Sequence, residues 1–195
     1  MPEPIIHING WPGVGKHTIA KELQRQMSGN GRVIHNHLLI DPAGAIMPRS
    51  APGYKPLRRK FREVVFDSLA TDSDTFGYTY IFTDCQSDTD GGPEVVNEYA
   101  EAAKSRGCIF IPVVLTCDYE VNEERMISQE RKDLVAGGKG MTLDTTILQR
   151  VHEHMTIFKF PCAELLELDV TELSAEEAAA RILEHMRGIE WLGEE

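Results

Sequence analysis

Lys16 is the first residue in this chain with an evident chemical task. It ends a glycine-rich turn, Gly10-Trp11-Pro12-Gly13-Val14-Gly15-Lys16-His17-Thr18, fed by the apolar run Ile5-Ile6-His7-Ile8-Asn9. Successive backbone N–H groups can converge on an anion only where no Cβ intervenes, which is what Gly10, Gly13 and Gly15 provide. A helix opening at the end of such a turn adds its unpaired N–H groups and the positive end of its dipole. Lys16 then offers a point charge to the outer phosphates of a nucleotide, and a hydroxyl close behind it can serve Mg²⁺. The stretch therefore reads as a phosphate-binding loop, with Gly10, Gly13, Val14, Gly15, Lys16, His17 and Thr18 as the nucleotide-binding residues.

A metal partner for Thr18 comes from farther along the chain. Tyr78-Thr79-Tyr80-Ile81-Phe82-Thr83-Asp84 is rich in aromatic and β-branched residues and closes on an acid. An apolar strand ending in Asp is the second half of a phosphate-loop site, its carboxylate holding Mg²⁺ or the water around it. Thr18 and Asp84 are the expected metal residues.

Three further groups of residues are candidates for an acceptor side. Arg32 to Ile40 reads as a second strand running into a loop, so Asp41 falls just beyond a strand end, where open α/β sheets present their ligands. It could orient or deprotonate an acceptor hydroxyl, or simply make a turn before Pro42. His35 and His37 alternate and would share one face of that strand, a conceivable metal pair, although no Cys or His partner follows at ligand spacing. Lys55, Arg58, Arg59 and Arg62 form a basic stripe at helical spacing, apart from the apolar face of Leu57, Phe61, Val64, Val65 and Leu69. The stripe reads as a solvated helix face, or as a clamp on a phosphate or anionic acceptor through Arg58, Arg59 or Arg62.

These residues need an alternating scaffold to position them. Ile19, Ala20, Leu23 and Met27 mark the first helix, and Ser28-Gly29-Asn30-Gly31 stops it. Gly91-Gly92-Pro93 opens another helix that ends at Gly107. Ile109 to Cys117 is the most apolar run, as for a strand covered on both faces, with Pro112 inside it; pairing is expected to begin after Pro112, or to bulge there. A helix from Glu120 to about Arg131 carries Arg125 and Arg131. Lys132 to Leu143 holds Gly137, Gly138 and Gly140 with Lys132 and Lys139, the composition of a mobile basic loop in the place of a lid. A helix over Thr142 to Phe158 and a strand over Ala163 to Val170 follow. Ser174 and Glu177 make a capping box for a last helix reaching Arg187. Strand and helix alternate throughout, which means an α/β doubly wound domain with a mostly parallel, five-stranded sheet.

Length and charge narrow the function classes. The 195 residues suit one domain, and a formal net charge of −11 disfavours long polyanions and anionic membrane surfaces as partners. Cys85, Cys108, Cys117 and Cys162 have no paired ligand spacing and read as reduced, partly buried thiols of a cytoplasmic protein. No run is apolar and long enough to cross a membrane.

The segment Gly10-x-Pro12-Gly13-x-Gly15-Lys16-x-Thr18 resembles the loop of adenylate-kinase-like nucleoside monophosphate kinases, which also place one residue between the lysine and the threonine; His17 stands where those enzymes have glycine. With the order of elements, this points to the group that includes shikimate and gluconate kinase-like proteins. The resemblance implies a sheet of order 2-3-1-4-5, a short lid at about 131–143 and an acceptor site around the second strand and the next helix. It implies arginines for the ATP base or phosphates, matched here by Arg125 and Arg131 at wider spacing, and an adenine border at Asp169-Val170-Thr171. The expected activity is transfer of the γ-phosphoryl group of Mg-ATP to a hydroxyl of a small metabolite, with Lys16, Asp41, Arg125 and Arg131 as catalytic residues. The alternatives are a nucleoside monophosphate kinase, an NTPase or regulator without an acceptor, and a kinase acting on nucleic-acid ends, which the acidity of the chain disfavours.

Overall fold

The computed structural model describes residues 1–89, 91–128, 131–132 and 144–192. Five strands, β1 (Ile5–Asn9), β2 (Gly31–His35), β3 (Thr79–Asp84), β4 (Phe110–Thr116) and β5 (Leu166–Asp169), form one sheet in the order β2-β3-β1-β4-β5. Every pairing in it is parallel. Among the described residues seven α-helices with defined bounds flank it: α1 (Lys16–Gln26), α2 (His37–Ile46), α3 (Tyr54–Thr71), α4 (Gly92–Arg106), α5 (Tyr119–Met126), α6 (Thr145–His154) and α7 (Ala175–Leu192). Most of the segment expected as a lid lies outside the described residues; Arg131 and Lys132 are helical.

Period two along the strands divides the core into two layers. Ile6, Ile8, Ile81, Ile111, Val113 and Leu115 face one side and pack with Ile19 and Leu23 of α1 and Ile182 of α7. Ile5, Tyr80 and Phe82 face the other and pack with Phe66 of α3 and Tyr99 of α4. Burying a side chain of that size stabilises the fold by about 1.5–3 kcal/mol, so both faces of the sheet are anchored and its carboxyl edge is held fixed.

Pro112 pairs in register with His7 inside β4, without a bulge. Odd-numbered residues of β4 bond toward β1, as Ile5 N does to Ile109 O, whereas Val170 N donates to Thr116 O on the β5 side. Pro112 therefore turns its missing donor toward β5, whose pairing starts only opposite Val113. A proline costs nothing where no partner strand waits for its N–H.

The stretch after β2 differs more from the sequence expectation. β2 ends at His35, and His37 to Ile46 is a helix rather than a continuing strand. Leu39, Ile40 and Ala43 are buried, and Ile40 and Ala43 pack against Tyr54 of α3. That burial outweighs the cost of Pro42 inside the helix. In α3 the division of faces also shifts: Val64 is exposed and Arg62 is buried.

His7 lies 1 % exposed in β1, its ring 4.5 Å from that of Tyr99. Burial lowers its pKa from 6.5 to about 4, only partly offset by Asp84. The unfolded chain then binds a proton between those values that the folded chain refuses, so stability falls as pH drops through that window. The full difference is about 3 kcal/mol, at 1.36 kcal/mol per unit. In urea melts between pH 7 and 4, His7→Phe should remove a loss of that order, while the carboxylate-dependent remainder persists.

Candidate active site

Register brings the site together at the carboxyl edge of the sheet. Asn9 of β1 lies level with Asp84 of β3, and His35 of β2 level with Thr83. Asn9 ties the strand ends: its Oδ1 accepts from Gly10 N and Gln86 N at 3.0 and 2.8 Å, and its Nδ2 donates to Gln86 O and Phe158 O. Nothing in the sequence marks Asn9 beyond its place at the end of an apolar strand.

The loop is shaped by what its glycines permit. Gly13 has φ +89° and Gly15 φ +104°, a region other residues rarely adopt. A Cβ on Gly13 would lie 2.4 Å from Asn122 Nδ2, the atom that donates to Pro12 O at 2.7 Å. At Gly10 it would lie 2.8 Å from Leu115 O. The loop is thus clamped onto α5 and β4 at positions where only glycine fits. Gly15 caps α1 without a side-chain hydrogen bond, and the first turn holds no acid. The leading N–H groups of α1 and its positive dipole end are left for an anion.

Lys16 Nζ donates to Gly10 O at 2.7 Å and Trp11 O at 2.8 Å. An ammonium has three donors, so one remains to follow a phosphate oxygen. Burial pulls the ammonium below the ordinary lysine range; Arg131 adds repulsion, and Asp84 works the other way. Arg131, half-buried, is likewise lowered by burial. An anion placed between these cations would relieve the penalty on both.

Asp84 is 1 % exposed. Its Oδ1 accepts from Asn36 Nδ2 at 2.7 Å and from Cys85 N at 2.8 Å, and Tyr99 Oη donates to Oδ2 at 3.4 Å. Burial, and then the adjacent Asp84 carboxylate, push the Tyr99 phenol well above its ordinary value, so it remains a donor. Thr18 is exposed on the cleft wall. A carboxylate and a hydroxyl are hard oxygen ligands and fit a Mg²⁺ that keeps several of its waters. Among the described residues no cluster of three His, Cys, Asp or Glu could hold a metal ion, so His35 and His37 do not form a metal site of that kind.

The loop opens into a cleft of about 700 Å³ that continues past Asp84 to His35, Asn36, His37, Arg49 and Arg58. Arg58 is the member of the basic stripe that reaches this cleft, and its Nε is buried with no hydrogen-bond partner among the described residues. Arg59 is exposed and pairs with Glu63 at 3.0 Å, and Arg62, buried, pairs with Glu98 at 2.6 Å. Arg62 therefore joins α3 to α4. Arg49, without a local motif of its own, comes into the cleft from the turn after α2.

Three other expectations change on contact with the geometry. Asp41 is on α2 rather than past a strand end; it is exposed, does not line the cleft and accepts from His37 Nδ1 at 3.0 Å. Asp169 and Thr171 do not line the cleft either. Asp169 Oδ1 accepts from Thr171 N and Thr171 Oγ1 accepts from Asp118 N, so they brace the turn whose Val170, Leu173 and Ala175 form the wall. Arg125 does line the cleft, but its Nη2 donates to Val170 O and Thr171 O at 2.9 and 3.2 Å. In this arrangement it fixes that wall.

The fold is shared with P-loop kinases of solved structure. A gluconokinase from Sinorhizobium meliloti 1021 superposes with a TM-score of 0.62 at 15% identity, over 96% of this chain and 93% of its own. The APS kinase of Mycobacterium tuberculosis, solved with AMPPNP and APS, gives 0.61 at 16% identity, over 95% and 98%. A shikimate kinase from Bacteroides thetaiotaomicron gives 0.57 at 17%, over 94% and 98%. No curated protein matches the chain by sequence. The family model described as an AAA domain matches residues 6–134. With most of its length under that match, and a phosphate loop in the matched part, the chain belongs to the AAA domain family.

Proposed function

We propose that the protein is an ATP-dependent kinase that transfers the γ-phosphoryl group of Mg-ATP to a hydroxyl of a small, anionic metabolite. The observation that carries this reading is the second half of the cleft. Arg58, its Nε buried with no hydrogen-bond partner among the described residues, and Arg49 lie beyond Asp84 from the phosphate loop. An NTPase that uses water has no need of a cationic chamber there. A guanidinium fork suits a carboxylate, sulfate or phosphate.

Phosphoryl transfer depends mainly on positioning and charge neutralisation. The backbone from Gly13 to Thr18 would cradle the β-phosphate, Lys16 and Arg131 would counter charge on the moving group, and Thr18 and Asp84 would hold Mg²⁺ or its waters. When bound, that ion would supply positive charge to offset that of the outer phosphates. Arg58 and Arg49 would place the acceptor, while Val170, Leu173 and Ala175 would border the base.

The test is ADP formation from Mg-ATP with D-gluconate, shikimate, adenosine 5′-phosphosulfate or a nucleoside monophosphate added. One of the first three should stimulate it, whereas stimulation by the nucleoside monophosphate alone would favour a nucleoside monophosphate kinase. Arg58→Gln should raise the KM for the hydroxyl acceptor by about tenfold or more, a charged hydrogen bond being worth ~1.5–3 kcal/mol, with ATP affinity unchanged. ADP release that none of them raises would favour an NTPase without an acceptor.

A further inference from the structure

At the edge of β2 the structure places histidines rather than the acid that the sequence suggested. β2 ends at His35, Asn36 turns its amide onto Asp84, and His37 begins α2 on the wall of the cleft. One helical turn on, Asp41 Oδ1 lies 3.0 Å from His37 Nδ1. The His37 side chain is 22% exposed and that of Asp41 50%, so the imidazole is the inner member and the carboxylate the outer. The spacing i, i+4 on one helix makes this geometry repeatable without any tertiary contact.

We propose that His37 is the general base for the acceptor hydroxyl and that Asp41 is its positioning residue, an inference that rests on the kinase reading above. A carboxylate accepting from Nδ1–H fixes the tautomer, leaving Nε2 with a lone pair. In the step, the acceptor O–H proton passes to Nε2 as the acceptor oxygen bonds to the γ-phosphorus. The bond from phosphorus to the β,γ-bridging oxygen breaks, its electron pair leaving with ADP. Nδ1–H stays on Asp41, and the imidazolium later returns its extra proton to solvent. The other charged or titratable groups that line the cleft with His37 are His35, its ring centroid 6.3 Å away, Asp84 and Cys85 at the end of β3, Arg49 and Arg58 from the α2–α3 side, Lys16 and His17 from the loop and α1, and Arg125 and Arg131. Asp84 has an Oδ1 already occupied by two donors, which suits it to a metal rather than to a proton. His37, a cleft-lining imidazole with a carboxylate at its Nδ1, has the arrangement a base needs.

The experiment uses the full chain and the variants His37→Ala, Asp41→Asn and Asp41→Glu. ADP release from Mg-ATP is followed over pH, with water alone and with D-gluconate, shikimate or adenosine 5′-phosphosulfate added. His37→Ala should lower the rate by about 10²–10⁴-fold, lose the rise on the acid side of the profile and recover in part with added imidazole. Its melting-temperature gain from ATP should be that of wild type. Asp41→Asn should lower kcat by a smaller factor without raising KM, and Asp41→Glu should restore it. Independently of turnover, ¹⁵N spectra of the histidine rings should show His37 protonated on Nδ1 and bare on Nε2 in wild type. Full activity in His37→Ala, or a proton on Nε2 at neutral pH, would overturn the dyad while leaving the kinase reading intact. A wild type that releases no ADP under any of these conditions would overturn both.

Discussion

Lys16→Met should abolish most turnover while leaving the fold in place. Lys16 is the one side-chain cation built into the loop, and its Nζ reaches the carbonyls of Gly10 and Trp11 with one donor left over. Removing one preorganised electrostatic contact to a transition state typically costs ~10²–10³ in kcat, and the loss here should reach at least that. Two effects on stability oppose each other. The methionine gives up two charge-assisted hydrogen bonds, but it also removes an ammonium that burial destabilises. A balance within ~1 kcal/mol means a shift in Tm of about 2–4 °C for a chain of this size. The ligand response should change far more: nucleotide at a hundred times its Kd adds about 2.7 kcal/mol to wild type, and the variant should show only a fraction of that at the same concentration. Wild-type turnover in Lys16→Met would mean that the loop is not the active site.

Some of this site could be read directly from the chain because local rules and global fold agree there. β1, the loop and α1 follow from an apolar run, glycines at positions that tolerate no Cβ, and helical spacing after Lys16. Asp84 is found the same way, at the end of an apolar strand. The capping box at α7 is as expected, Ser174 Oγ donating to Glu177 Oε2 and Glu177 N donating to Ser174 Oγ. What escaped is decided by packing between elements distant in sequence. His37 to Ile46 contains Asp-Pro, a turn signal, and becomes helix only because Ile40 and Ala43 find Tyr54 on α3. Taken as a turn, Asp-Pro places Asp41 at a strand end, whereas on α2 it meets His37 one helical turn away. Arg62 looked like its neighbours on the stripe until Glu98, 36 residues on, took it into the interior. The resemblance in loop and order of elements implies Asp169 and Thr171 at the adenine border, but here they brace the wall instead of lining it. Arg49 had no local signal at all, because it belongs to the cleft only through the path of the chain after α2.

Asp84→Asn should be nearly as damaging as the loss of Lys16, and in a different way. The carboxylate is buried, with Oδ1 held by Asn36 Nδ2 and Cys85 N and Oδ2 within 3.4 Å of Tyr99 Oη. Asparagine has the same shape and can keep an oxygen toward Cys85 N, so the β3 turn should survive; what goes is the negative charge. If Asp84 holds Mg²⁺ or its waters, turnover should fall by ~10²–10³-fold, and the concentration of Mg²⁺ needed for half-maximal rate should rise. Nucleotide affinity then becomes informative, because Asp84 acts on bare and on metal-bound phosphates with opposite sign. Without the ion it repels the triphosphate; with the ion it helps to hold the complex. Asp84→Asn should therefore bind ATP as tightly as wild type or more tightly in EDTA, and more weakly in Mg²⁺, by isothermal titration or thermal shift. A plain turn aspartate predicts equal affinities in both media and a Mg²⁺ dependence identical to wild type. Pairing this variant with Lys16→Met in a double-mutant cycle adds a further check, since the two charges influence each other. The losses in turnover should fall well short of additive if both serve the same phosphoryl group. Strict additivity would place Asp84 outside the reacting centre.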